Sequence, residues 1–540
     1  MTRFPFRLAA LLTTFVATFA LHPAAGAGQP VTVEGRLEVL HADYFRDGRS
    51  THDYFLRTAE ERLALRFPDQ GPQDLAQARV RVRGAREGNV ITVPSSRAPH
   101  VERLGEDASG SGGADVAAIS PGARDTLVVL IDFTDTSPVP ADPATMNGEV
   151  FTAPTGVAAY FNEMSYGQTT LQGAVTPWLS INDSSSPCDY DSWGEQARNA
   201  ASTAGWTLAN YEHIVHYFPQ TSACGWSGLG QLGGPYTWVN GTWQDSDPEW
   251  NELVIAHEIG HNLTLHHSGD LDCTLNGLRV SLAGSCVHDE YGDFFDVMGS
   301  SYDHFNNFHK AHLAWIPGTN VTTAASGDHV LTPMETSCTS CTQVLRIPRG
   351  SEYLYVEYRQ PSFFDDFAPT DPVVNGASLR LGPDHSVDYQ RTRLIDAKPF
   401  TNTSLDAALP VGSGFADGTG IHVETLSATS SSLTVRVTSG FTDPRPTANI
   451  GTGHTVQRGV PHTHTGTVSD LGKNLRSYEW SLSRCKGTCP TLTNARGPLQ
   501  GGSAALSTTF TPTKRAAYRL SLTVWDTTGK SVTVTVEERA

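Results

Sequence analysis

His257-Glu258-Ile259-Gly260-His261-Asn262-Leu263-Thr264-Leu265-His266-His267 is the stretch on which the reading of this chain turns. Two histidines four apart on a helix stand on one face, one turn above the other. That spacing lets His257 and His261 reach one tetrahedral zinc, whose nitrogen ligands sit about 2.0–2.1 Å from the metal. Glu258 points at the position where an activated water would lie, and a carboxylate there can take the water's proton. The chain must then turn back sharply for His267 to supply a third imidazole. With 20 His in 540 residues, an H-E-x-x-H pattern arises by chance roughly 0.04 times, and the third His lowers this to about one in 700. A structural zinc would be closed by Cys or His in all four positions, and no Cys lies in the motif. Ser246 or Asp247 reads as the helix N-cap with Pro248 in its first turn. Trp250, Leu253 and Val254 then share the inward face with the histidines.

These residues resemble the metzincin metallopeptidases, whose pattern H-E-x-x-H-x-x-G-x-x-H is followed by a Met-containing turn beneath the zinc. His257, Glu258, His261 and His267 match position for position, and Asp296-Val297-Met298-Gly299 supplies the turn, with Met298 packing under the metal. Thr264 departs from the pattern, standing where metzincins carry Gly. A β-branched residue at positive φ costs about 1–2 kcal/mol, so either the turn differs or the strain is tolerated. His266 competes with His267 but is out of spacing by one. Within metzincins the likeness is to the gametolysin family and its bacterial secreted relatives. It rests on the zinc motif, on Tyr291-Gly292-Asp293, on His309-Lys310-Ala311-His312-Leu313-Ala314-Trp315, and on the helix-then-turn of Tyr160-Phe161-Asn162-Glu163-Met164-Ser165-Tyr166-Gly167. It covers roughly residues 125–325. The resemblance implies a zinc endopeptidase acting on proteins or peptides, with Zn2+ as cofactor, Glu258 as catalytic base and His257, His261 and His267 as ligands. One alternative is a gluzincin-type protease with Glu290 as third ligand, whose E-x-x-x-D pattern is absent because position 294 is Phe. Another is a non-catalytic surface adhesin on a protease fold, which would have no chemical need for an intact Glu258.

Arg3 and Arg7 precede an apolar run from Leu8 to Leu21, and Ala25-Gly26-Ala27 is a small-residue cleavage site, so residues 1–27 read as a secretory signal peptide. Nothing later reaches about 18 apolar residues, and no membrane insertion is expected. A net charge of −18 argues against nucleic-acid binding, which wants a basic face. The 8 Cys are even in number and all lie after residue 187, which suits disulfides in an oxidising compartment. Local pairing gives Cys188–Cys224, Cys273–Cys286, Cys338–Cys341 and Cys485–Cys489, although sequence alone leaves the connectivity open.

Along the chain, residues 28–103 alternate as short strands and form a small, barrel-like β module; it is a propeptide or a retained accessory domain. Residues 104–123 read as a linker. None of the Cys precedes Cys188, so an inhibitory segment could not use the thiolate switch of some metzincins. It would have to block the cleft or offer an Asp, Glu or His ligand, with release by a cut near residues 105–125. The catalytic domain spans 124–325, opening with Thr126-Leu-Val-Val-Leu-Ile-Asp-Phe133 as a central strand. Tyr236-Thr-Trp-Val-Asn240 is expected at the sheet edge, where a substrate strand could add. Residues 326–440 read as a β-sandwich, 441–446 as a linker, and 447–540 as an immunoglobulin-like domain of the PKD type, implying surface or matrix adhesion or a spacer. His309 and His312 read as surface or helix-packing residues, and His454, His462 and His464 as solvated loop residues. The predicted whole is a multidomain α+β protein, a metzincin-like protease domain with a mixed twisted sheet and an active-site helix, flanked by all-β modules.

Overall fold

The computed structural model describes residues 28–105, 121–136, 142–241, 249–386, 391–401 and 403–540. The expected signal peptide, most of the expected linker at 104–123 and the expected helix start at Ser246–Pro248 lie outside the described residues. The protein is multidomain and mostly β, with several separate sheets.

At the N-terminal end one long strand, Gln29–Tyr44, organises everything. Its first half pairs with Arg79–Glu87, its second with Arg49–Arg57. The circuit closes through Arg62–Arg66 and Val90–Thr92, so these strands form a small barrel. Leu37, Val39, Leu56, Leu63, Val80 and Val82, alternate residues of their strands, fill its interior.

The last residues of that strand leave the barrel and join the next sheet: Leu40–Asp43 pair antiparallel with Gly228–Gln231. From there the sheet runs through Tyr236–Gly241, His213–Pro219, Gly122–Asp132 and Thr169–Val175, the last four strands mutually parallel. Parallel strands covered on both faces read as continuous apolar runs, and Leu127–Ile131 is one, buried throughout. The helix Val157–Met164 and the active helix Glu249–Asn262 pack on one side, and Tyr190–Thr203 covers the other with Trp193, Ala197 and Ala201. The expected edge strand, Tyr236–Asn240, therefore sits one place inside. The true edge of the peptidase-like part is Gly228–Gln231, whose glycines lower its strand propensity and hide it in a Gly-rich loop.

A second sheet joins Ser268–Asp289 to strands between Val321 and Pro410, across the position 325 where a boundary is expected. It packs on the four-stranded sheet of Gly327–Leu331, Gly414–Ala416, Ile421–Thr429 and Ser432–Ser439. The terminal region is two further sheets closed over Trp480, with Leu475–Ser483 and Ala517–Asp526 paired as core strands. All four local cysteine pairs are disulfide-bonded. No helix among the described residues is long and apolar enough to cross a membrane.

Candidate active site

The active helix is apolar on nearly every side, with Leu253, Val254, Ile255, Ala256 and Ile259 all buried, as befits a helix in the centre of a domain. It ends where the motif requires. Leu265 N–H donates to Gly260 O at 3.0 Å, and Thr264 takes φ +77°, so the strain is accepted and the turn is kept. The Thr264 hydroxyl then meets His312 Nε2 at 3.1 Å.

This reversal brings the three histidines together. The ring centroids of His257, His261 and His267 lie 4.9, 5.1 and 5.2 Å apart, a nearly equilateral triangle. Each ring is held from behind through Nδ1: His257 by Val297 O at 2.7 Å, His261 by Leu265 O at 2.7 Å, His267 by Glu290 Oε1 at 3.1 Å. A donor-type contact at Nδ1 leaves Nε2 as the bare nitrogen, which is how a metal-binding imidazole is oriented. Glu290 is thus behind His267 and does not replace it as a third donor to the centre. His267, not His266, completes the triangle. Burial pushes His257 down to about 3. His267 is desolvated too, yet the carboxylates of Asp43 and Glu290 raise it above the ordinary value.

Met298 is fully buried beneath the histidines; its Sδ would lie 2.5 Å from a Cβ placed on Gly260, so that glycine makes room for it. Asp296 builds the turn by accepting from Met298 N–H and Asn306 N–H, each at 2.7 Å. His309 is buried 3.4 Å from that same carboxylate, and His312 is buried as well; of the two expectations, surface or helix-packing, both residues take the second. Arg380 anchors the neighbouring Asp293 at 2.5 Å and Glu357 at 2.6 Å, tying this loop to the second sheet.

The residue that the sequence did not single out is Asp43. Its carboxylate lies 2.9 Å from His267 Nε2, 3.2 Å from His261 Nε2 and 3.7 Å from His257 Nε2. Tyr291 OH donates to it at 2.8 Å. Burial pushes Asp43 up, but His41, His267 and His261 draw it well below the carboxylate range. Ligand atoms about 2.1 Å from a tetrahedral centre are about 3.4 Å apart, and the three Asp43 distances straddle that value. His267 Nε2 and Asp43 are 2.9 Å apart, yet the Nε2 atoms of His257 and His267 have no hydrogen-bond partner among the described residues. His261 Nε2 does bond Asp43 Oδ2, at 3.2 Å; the two remaining nitrogens, buried and turned to the same carboxylate, fit a shared cation. His41, two residues earlier on the same strand face, stacks on His267 at 4.3 Å, and Phe45 at the hairpin tip meets the His257 ring edge-on at 4.8 Å.

Glu258 is fully buried beside Asp43, and neither carboxylate oxygen has a hydrogen-bond partner among the described residues. Burial first, and the Asp43 charge second, raise it well above the usual range. Gly228 and Gly230 face it from the edge strand: a Cβ on Gly228 would stand 2.0 Å from Glu258 Oε1, and one on Gly230 2.8 Å from Oε2. A cavity of about 1410 Å³ lies to one side, between the barrel loop Asp69–Leu75 and His288, Arg391 and Arg393.

Residues 143–356 match the family model of gametolysin peptidase M11. The match supports a metallopeptidase, with a metal ion implied and proteins or peptides as substrates. No curated protein matches the chain. Among solved structures, a PapD-like domain of human CEP192 is similar at 12% identity over 18% of this chain and 89% of that one, with a TM-score of 0.16. A mutant SrpA adhesin from Streptococcus sanguinis is similar at 17% identity over 18% of this chain and 60% of that one, TM-score 0.14. Scores this low carry no argument about fold or function.

Proposed function

We propose that the chain is a secreted zinc endopeptidase of metzincin type, held latent by its own N-terminal barrel. The observation that carries the reading is the triangle of His257, His261 and His267, each with Nδ1 engaged and Nε2 within 3.7 Å of the Asp43 carboxylate. Zinc bound there would supply an acidified water and a Lewis-acid contact for the scissile carbonyl. Glu258 takes the proton from the attacking water and returns it to the leaving amine nitrogen. Its buried setting, with Asp43 gone, poises the carboxyl for both transfers. The substrate backbone runs antiparallel along Gly228–Gln231, the edge that Leu40–Asp43 now occupies. Met298, Val297 and Asp296 hold the floor of the site.

Latency follows from the same geometry. Asp43 takes the position of a fourth ligand, Phe45 covers His257, and four residues of the strand add to the edge where substrate would add. Casein or gelatin hydrolysis with added zinc tests the catalytic part. Glu258→Gln should keep the metal and lose about 10²–10⁴-fold in rate; near-normal hydrolysis would sink the mechanism. His267→Ala should lose metal and His266→Ala keep it. For latency, Asp43→Ala in the uncleaved chain should turn over peptide where the parent does not. An uncleaved parent already as active as its Asp43→Ala form would refute the inhibitory role.

A further inference from the structure

The terminal domain contains a second convergence of metal-ligating side chains, far in sequence from the first. Expected as solvated loop residues, His454, His462 and His464 meet Glu538, with one ligand atom of each within 4.8 Å of all the others. We propose that these four residues form a transition-metal site, filled by zinc, which fastens the two sheets of the terminal domain together.

The placement follows from strand geometry. His462 and His464 are two apart on His462–Ser469 and therefore project to one side of it. His454 arrives on a segment laid beside the final strand Ser531–Arg539: Arg539 N–H donates to His454 O at 2.9 Å, and Val456 N–H to Arg539 O at 2.8 Å. Gly453 permits this approach, since a Cβ there would collide with Glu537 O at 1.9 Å. Glu538 is fully buried on that strand, its Oε2 accepting from His454 N–H at 2.8 Å. Strand His462–Ser469 belongs to one sheet of the domain and Ser531–Arg539 to the other, so the cluster spans the seam between them.

Chemistry favours an ion over a plain polar cluster. Glu538 Oε1 lies 2.8 Å from His464 Nδ1 and 3.5 Å from His454 Nδ1, and Oε2 lies 3.8 Å from His462 Nε2. These bracket the edge of about 3.4 Å expected around a tetrahedral zinc. Glu538 Oε1, His464 Nδ1 and His462 Nε2 are nevertheless buried without a hydrogen bond among the described residues, the signature already met between His267 and Asp43. Leaving buried polar atoms unsatisfied costs about 1–3 kcal/mol each, more for a charge. The opposite nitrogen of His464 is fixed on Ile450 O at 2.5 Å, which turns its Nδ1 lone pair inward. Three imidazoles with one carboxylate is a nitrogen-rich set that suits zinc; calcium would want six to eight oxygens.

The test uses the full chain, stripped with a chelator and re-equilibrated with zinc, and compares it with the His454→Ala/His462→Ala double variant. Those two are the less buried members, so the fold should survive their loss. The variant should bind one equivalent of zinc less by elemental mass spectrometry, keep its peptidase kcat/KM, and lose the zinc-dependent rise in melting temperature of its terminal domain. Equal zinc content in the two proteins would overturn the site. Should the variant fail to fold, the parent decides: zinc should shield His454 and His462 from acylation by diethyl pyrocarbonate, and undiminished labelling in zinc would refute the proposal. Because no peptidase residue is altered, a failure here is distinguishable from a failure of the zinc endopeptidase reading.

Discussion

Thr264 holds φ +77° at a point where a β-branched residue pays a steric penalty, and its neighbours show why the chain accepts it. Without the reversal between Leu263 and Leu265, His267 could not face His261. The Thr264 hydroxyl also reaches His312, a contact a glycine would lack. Replacing Thr264 by Gly relieves about 1–2 kcal/mol of strain, but frees the unfolded chain and deletes that hydrogen bond. Thr264→Gly should therefore leave stability within about 1 kcal/mol of the parent, with zinc affinity unchanged, as chemical denaturation and zinc titration would show. A large loss of metal would mean that the hydroxyl, rather than the turn, positions the third histidine. At this scale the sequence was easy to read, because the spacing of His257, Glu258, His261 and His267 is set by one helix and one turn. Asp43 was illegible for the opposite reason. Nothing local ties it to histidines more than two hundred positions away, although the cysteine placement leaves an inhibitory segment only cleft blocking or an Asp, Glu or His ligand.

At the scale of elements, the edge strand Gly228–Gln231 and the active helix approach so closely that two positions on the strand exclude any side chain. Gly228→Ala would drive a methyl into Glu258 Oε1, and displacement of that carboxylate by about 1 Å should cost on the order of 10²-fold in kcat/KM. Zinc content should be unaffected, which separates this outcome from damage to the ligands. The central strand was recoverable as the apolar run from Thr126 to Phe133. The edge strand was not, since glycines carry no periodic signal. The joining of Ser268–Asp289 to strands beyond residue 320 was hidden too, because strand partners distant in sequence leave no mark on either segment.

Across the whole molecule, the terminal domain docks through Arg476, which donates to Arg279 O at 2.8 Å. Arg279 also lies 3.5 Å from the carboxylate of Asp396. Burial raises Asp396 to about 7, against the hydrogen bond from Lys398 N–H that favours its charged form. An unfolded Asp titrates near 4. Between about pH 4 and 7 the folded chain thus holds a proton that the unfolded chain releases, so this group's contribution to stability declines as pH rises through that window. Asp396→Asn should raise the melting temperature at pH 8 and change it little at pH 4, and an equal shift at both values would show that Asp396 is not the titrating group.

The strand Gln29–Tyr44 serves at once as a barrel wall and as the segment laid against the histidine triangle. A cut in the linker would leave its contacts intact and remove only the tether. On the proposed latency, inhibition before the cut would be intramolecular, at an effective concentration on the order of millimolar for a short linker; after it, the barrel would become a separate ligand subject to mass action. Freshly cleaved enzyme should therefore gain specific activity on dilution and lose it when the purified barrel is added back. Cleavage would set the protein free to be active, and the volume into which it is released would decide when.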